Sequence, residues 1–283
     1  FTDRHTGDLK VYRGERKFIH IDIEPTQIGR GFQPDLGIVS DAKLAINALI
    51  ERARARGLKR QPTEAAERIP VDRPSMARKT DYDDYPIKAP RVYAELNKFF
   101  DENTLFYTGC GLTQIWSGQL QEVDTPRRYL ASGGAGTLGY EVPAAIGGKV
   151  ARPDLKSVAV VGDGGFMFMG EELAMAAHYN VPVIVVIVNN GYLSLIRQNQ
   201  KYAYGFEYGT KLWYDDSGKR MTDFVKFAEA LGCKGERVHR AEDIAEALER
   251  AVAANCPYVI DIIVERETDC SMGGSIAAVR EFE

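Results

Sequence analysis

The chain has 283 residues, of which 45% are apolar and 27% charged, and a formal net charge of -4; that is ordinary composition and enough length for two modest domains. The acidic balance argues against a broad electrostatic grip on nucleic acid, and no apolar run approaches the roughly 18 residues of a membrane span, so small molecules are the expected partners. Cys110, Cys233, Cys256 and Cys270 form no CxxC pair, which points away from a zinc ribbon or disulfide framework and toward a reducing, cytoplasmic setting.

Residues 1–7 have neither the apolar core of a secretory signal nor the arginine-rich character of a transit peptide, and read like the middle of a longer sequence. Residues 17–23 (KFIHIDI) and 38–40 are rich in β-branched residues and predict two short strands. A helix is expected over 42–56, with Ser40 or Asp41 available as its cap. Between 58 and 90 the chain turns polar and proline-rich, a linker composition. The expected domains are therefore 1–57, a linker over 58–90, and 91–283.

Past the linker, strands and helices alternate. Strands are expected at 104–108, 128–131, 157–161, 182–188 and 258–264, with helices at 91–100, 114–120, 139–150, 171–179, 193–200, 223–231 and 244–253. The strands at 157–161 and 182–188 are apolar throughout, as in a parallel sheet covered on both faces. The fold class is thus a doubly wound α/β domain, whose ligands gather beyond the carboxyl ends of the strands.

Two of those strand ends carry chemistry. The first runs into Gly162-Asp163-Gly164-Gly165 and the second ends in Asn189-Asn190, with 24 residues, 165–188, between the motifs. If the strands are parallel neighbours, Asp163 and Asn190 meet. A carboxylate, an amide oxygen and a backbone carbonyl are hard ligands suited to Mg²⁺, with a bound diphosphate completing the shell. Glycines that open a helix also offer amides to the same phosphates. Gly134 to Gly139 spell GxGxxG, a possible dinucleotide turn, but that reading leaves Asn189-Asn190 and the Gly109-Gly111 turn unexplained.

The GDG motif, the Asn-Asn pair and the glycine turns at 108–114 and 132–139 resemble those of thiamine-diphosphate-dependent enzymes of the acetolactate-synthase-like family. The resemblance implies that Asp163, Asn190 and the Tyr192 carbonyl hold the metal, and that Gly162, Gly164, Gly165, Gly111, Leu112 and Thr113 surround the diphosphate. It further implies that the Gly136 carbonyl meets the aminopyrimidine and that Leu138 and Leu195 support the bent cofactor, whose own amine then activates its reactive carbon. Residues 1–7, 19–25 and 40–42 are similar to the central domain of flavin-containing members, with Arg4 along the flavin phosphates and Asp22 and Asp41 on the ribityl or adenosine portion. FAD would be structural there, and a plain Rossmann-like domain without ligand is the alternative.

Within the family, residues 22–43, 189–198 and 271–283 are most similar to the glyoxylate-carboligase branch, which implies decarboxylation of one glyoxylate and its joining to a second. The chain departs from acetolactate synthases at Asn199, where those enzymes usually place a tryptophan, and from the glyoxylate branch at Gly165 and over 211–219. Pyruvate is the alternative substrate. An anionic 2-oxo acid needs a cation, and Arg197, just past the metal loop, is either that group or a surface arginine. His178 reads as partly buried structure and Cys110 as a small filler. The family's pyrimidine-binding domain has no counterpart here. The resemblance therefore implies a chain or segment that supplies it, in a dimer or tetramer, unless this is a non-catalytic diphosphate-binding half.

Overall fold

The structure, a computed structural model, describes residues 9–75, 77–213, 222–266 and 270. The chain divides into two compact units between Ala77 and Arg78.

In the first unit a short helix α1 (Leu9–Arg13) precedes strand β1 (Ile19–Asp22), which pairs in parallel with β2 (Leu36–Val39), Ile19 opposite Leu36. Helix α2 (Ala42–Ala55) starts where Asp41 accepts the Leu44 amide at 3.1 Å, so Asp41 is the cap. Only Ala45 of this helix is buried, while Ile19, Leu36, Val39, Leu44 and Leu49 are exposed. A two-stranded sheet with one helix is marginal in water without further cover. Helix α3 (Glu64–Ser75) lies within the expected linker. Thr63 caps it by accepting the Ala66 amide, and Arg68 pairs with Asp72 one turn on, so local bonds form a helix that composition did not announce.

The second unit is a six-stranded, all-parallel sheet. Its strands are β3 (Thr104–Thr108), β4 (Tyr129–Ala131), β5 (Lys156–Gly162), β6 (Ile184–Asn189), β7 (Lys234–Val238) and β8 (Tyr258–Ile263), in the order β4-β3-β5-β6-β8-β7. Helices α4 (Ala89–Phe99), α5 (Leu112–Leu120) and α11 (Ile244–Ala254) pack on one face. Helices α6 (Glu141–Ala151), α7 (Asp163–Met169), α8 (Leu173–His178) and α10 (Phe224–Ala230) pack on the other. Side chains alternate across a strand, so Val158, Val160, Val186 and Val188 meet Tyr93, Leu96 and Trp116, while Ala159, Val161, Val185 and Ile187 meet Val142, Phe166 and Leu173. Each such fully buried valine or isoleucine contributes roughly 1.5–3 kcal/mol, and no polar side chain interrupts 158–161 of β5 or 184–188 of β6.

Three details differ from the sequence reading. β7 was not expected: KGERV alternates charge rather than hydrophobicity, because it is an edge strand whose Glu236 and Arg237 are held by ion pairs. The helix after β5 starts at Asp163 itself and breaks through a 3₁₀ turn (Gly170–Glu172) before α8. His178 is exposed at the end of α8, edge-on to the Tyr179 ring, rather than partly buried.

The order β4-β3-β5-β6 places the topological switch at the carboxyl ends of β3 and β5. The chain leaves β3 toward β4 on one side and leaves β5 toward β6 on the other, which opens a crevice between their loops. The GxGxxG turn follows β4, and the next strand in sequence, β5, is separated from β4 by β3. A dinucleotide turn needs the acid at the end of the adjacent strand, so the topology does not support that reading.

Candidate functional site

A cavity of about 100 Å³ lies at that switch point. From the loop after β3 it is lined by Cys110 and Gly111, and from α5 by Leu112, Thr113 and Trp116. The end of β5 and the first turn of α7 contribute Gly162, Asp163, Gly164 and Gly165, the loop after β6 Asn190 and Tyr192, and helix α9 (Ser194–Asn199) Leu195; Leu138 reaches in from the turn before α6. Most residues singled out in the sequence thus share one cavity wall. Gly136, at φ +62°, is not part of that wall; its turn is closed by Ser132, which accepts the Thr137 amide at 2.8 Å.

Asp163 and Asn190 sit side by side because β5 and β6 are hydrogen-bonded neighbours, with Gly162 opposite Val188. The Asp163 carboxylate is 3% exposed; it accepts the Gly164 amide at 2.9 Å and the Gly191 amide at 2.5 Å. Asn190 accepts the Tyr192 amide through Oδ1 at 3.2 Å and donates to Ser194 Oγ at 2.5 Å, while the Ser194 hydroxyl donates to the Tyr192 carbonyl at 3.2 Å. Two carbonyl-type oxygens after β6 and a carboxylate after β5 are therefore fixed at adjoining strand ends, with lone pairs left over. Residues 191–193 are braced by a second strand-like segment: Leu212 donates to Gly191 and Leu193 to Thr210, each at 2.8 Å.

Asn189 plays a different part. Its amide donates to Asp261 at 2.7 Å inside the sheet, and Asp261, fully buried, also receives Arg237 at 2.8 Å. It anchors the end of β6 rather than facing the cavity. Arg197 is buried, at 3% exposure, with its Nε on Glu207 at 2.9 Å and its guanidinium 4.7 Å from the centre of the Tyr192 ring. It is not a surface arginine, and it is absent from the cavity wall. Trp213 meets the same ring edge-on, with the ring centres 4.3 Å apart.

Four buried polar groups at this end of the sheet lack a hydrogen-bond partner among the described residues: the Thr108 and Thr113 hydroxyls, the Trp116 indole N–H and the Glu141 carboxyl. Unsatisfied buried groups are rare and call for a missing partner. Thr113 and Trp116 line the cavity, and α5, whose cap Gly111 has φ +125° and no capping side chain, presents first-turn amides without helical partners. Such a cradle of donors suits an anion. Trp116 and Glu141 were not singled out from sequence; the signal for Glu141 was a lone acid inside an otherwise apolar helix start, GYEVPAAIG. Among the described residues no cluster of three His, Cys, Asp or Glu side chains exists, so a metal at this cavity would rest on one carboxylate, amide and carbonyl oxygens and the ligand's own oxygens.

In the first unit Asp22 accepts the Glu24 amide at 2.9 Å and Asp41 caps α2, so each holds local backbone. Arg4 lies outside the described residues, as do residues 271–283 and 214–219 of the stretches compared with the glyoxylate branch.

Donors without partners lining a cavity at a sheet's switch point suit an α/β domain that binds a phosphate-bearing ligand. Residues 109–262 match the thiamine pyrophosphate enzyme C-terminal TPP binding domain. The chain belongs to that family. It is 43% identical to the glyoxylate carboligase of Escherichia coli O157:H7 over 302 aligned positions, covering all of this chain and 50% of that protein. It is 36% identical to a probable acetolactate synthase large subunit of Methanococcus aeolicus, over 96% of this chain and 47% of that one. Against the acetolactate synthase large subunit of Corynebacterium glutamicum the identity is 37%, over 93% and 42%. The chain spans about half the length of these relatives.

Proposed function

We propose that this chain is the diphosphate- and metal-binding half of a thiamine-diphosphate-dependent carboligase, and that the assembled enzyme converts two glyoxylates to tartronate semialdehyde and carbon dioxide in a cytoplasmic setting. The observation that carries the reading is the single cavity that unites Asp163, Asn190 and Tyr192 with Thr113, whose hydroxyl has no partner among the described residues. The metal reading assigns Mg²⁺ to the first three; Thr113 and the amides of Gly111, Leu112, Gly164 and Gly165 would meet the diphosphate. Leu138 and Leu195 offer apolar support, and the Gly136 carbonyl an acceptor for the aminopyrimidine. Bound thiamine diphosphate supplies a carbon nucleophile that cleaves the 2-oxo acid and carries the fragment to an aldehyde.

This chain's own residues hold that group still and keep water away. Arg197, committed to Glu207 and to the Tyr192 ring, fixes the metal loop in this reading rather than meeting a substrate carboxylate. The exposed apolar side chains of the first unit and the half-length match support a further chain or segment that supplies the pyrimidine-binding domain, in a dimer or tetramer. FAD, on Asp22, Asp41 and Arg4, would be structural and takes no part in the chemistry.

The acetolactate synthase relatives favour one second reading, a carboligase acting on pyruvate. Carbon dioxide release by the assembled enzyme, with glyoxylate or pyruvate as sole substrate, separates them. Faster release from glyoxylate with tartronate semialdehyde as product is expected. Preference for pyruvate moves the assignment to the acetolactate type, and release from neither leaves a binding half without catalysis.

A further inference from the structure

The unused group with the most unusual surroundings is Glu141. It is the first residue of α6 and is completely buried, and neither carboxyl oxygen has a hydrogen-bond partner of normal geometry. Its neighbours are the two glycine turns of the cavity. A methyl group on Gly109, after β3, would stand 2.3 Å from the carboxyl carbon, and one on Gly165, after β5, 3.6 Å from Oε1. The carboxyl therefore fills the seam between the loops that frame the cavity, on the side away from solvent.

Resting on the diphosphate reading of that cavity, we propose that Glu141 is a positioning residue coupled to anion binding: its carboxyl is neutral when the cavity holds a diphosphate, so anion uptake draws a proton from solvent onto a carboxyl oxygen. A second negative charge buried beneath the phosphates would oppose their binding, whereas a neutral acid keeps the seam filled without repulsion. The group is already poised for this. Burial pushes its pKa up from 4.5 to about 7, against a smaller pull from the amides of Gly109 and of Glu141 itself.

The ionisable groups on the elements packed against α6 are Tyr107 on β3, Lys156 on β5, Asp163 on α7, Glu171 and Glu172 in the 3₁₀ turn and His178 on α8, with Tyr140 and Lys149 beside it in the chain. None of them is a cause of the shift, and the side chain recorded as feeling the Glu141 charge is Tyr93, a phenol whose own pKa burial raises first. The proton linkage therefore belongs to Glu141 itself.

The test is calorimetric titration of the assembled enzyme with inorganic pyrophosphate and Mg²⁺, in two buffers of different ionisation heat, for the wild type and Glu141→Gln. Glutamine keeps the shape and cannot titrate, and comparing the two cancels the ligand's own protons. Wild type is expected to take up more protons than E141Q near pH 7.5, by up to about one per site, and the ratio of wild-type to E141Q Kd is expected to rise at least about threefold between pH 6 and 9. Equal proton uptake and a constant ratio would overturn the proposal and leave the carboxyl as filler. Absence of pyrophosphate binding by the wild type at any pH would instead overturn the diphosphate reading and the proposal with it. Should E141Q not fold, Glu141→Met, uncharged and of similar length, carries the same comparison.

Discussion

The carboxylate of Asp163 accepts the backbone amide of Gly191 at 2.5 Å, tying the residue after β5 to the loop after β6. Charge-assisted bonds of this kind are short and roughly twice as strong as neutral ones, so the segments that follow the two strands are in register through the protein alone. Gly191 makes this possible with φ +77°, a conformation that a side chain disfavours.

Gly191→Ala is therefore expected to lower stability by about 1–2 kcal/mol and to move the Asn190 and Tyr192 oxygens off the cavity. Urea denaturation reads the first effect and Mg²⁺-dependent affinity for thiamine diphosphate the second. Unchanged affinity would mean that the loop is not held by this bond.

The other end of the same loop depends on Asp261, which joins Asn189 to Arg237, itself bound to Asp223 at the cap of α10. Asp261→Ala leaves the Asn189 amide unsatisfied inside the sheet and takes from Arg237 one of its two carboxylates, and is expected to cost about 3 kcal/mol by denaturant titration, more than Asp261→Asn, which keeps an acceptor. Equal losses in the two variants would show that packing rather than the acceptor is what matters.

Glu141 also makes stability depend on pH. Its folded pKa, about 7, exceeds the ordinary 4.5, so across that interval the folded chain holds a proton that the unfolded chain has lost. Stability due to this group is full below the lower value, falls as pH rises through the interval and levels off above about 7. Melting temperatures of E141Q relative to the wild type should rise over that window, by up to roughly 3 kcal/mol in equivalent stability. A difference independent of pH would place the folded pKa near the ordinary value.

Much of this was legible in the chain. The apolar runs of β5 and β6, each ending in a polar motif, gave parallel neighbours and brought Asp163 to Asn190, because strand ends in a parallel sheet share one edge. What stayed hidden depends on residues distant in sequence. Asn189 had no part of its own in the sequence reading, because its partner, Asp261, lies 72 positions away. Arg197 could be read as surface or substrate-binding because Glu207 reaches it only through the turn of chain that follows α9 and the Tyr192 ring only from the loop before it. β7 was missed because its stability comes from cross-strand ion pairs rather than apolar alternation.

The most direct measurement is calorimetric titration of thiamine diphosphate into the assembled enzyme, with Mg²⁺ or with a chelator, for the wild type and Asp163→Ala. Saturable binding that needs the metal, and that weakens at least about 100-fold in the variant, a change of roughly 2.7 kcal/mol, is expected, since Asp163 is the one charged side chain in the proposed metal set. Binding of equal strength with and without Mg²⁺, undiminished in Asp163→Ala, would contradict the assignment of this cavity as the diphosphate and metal site.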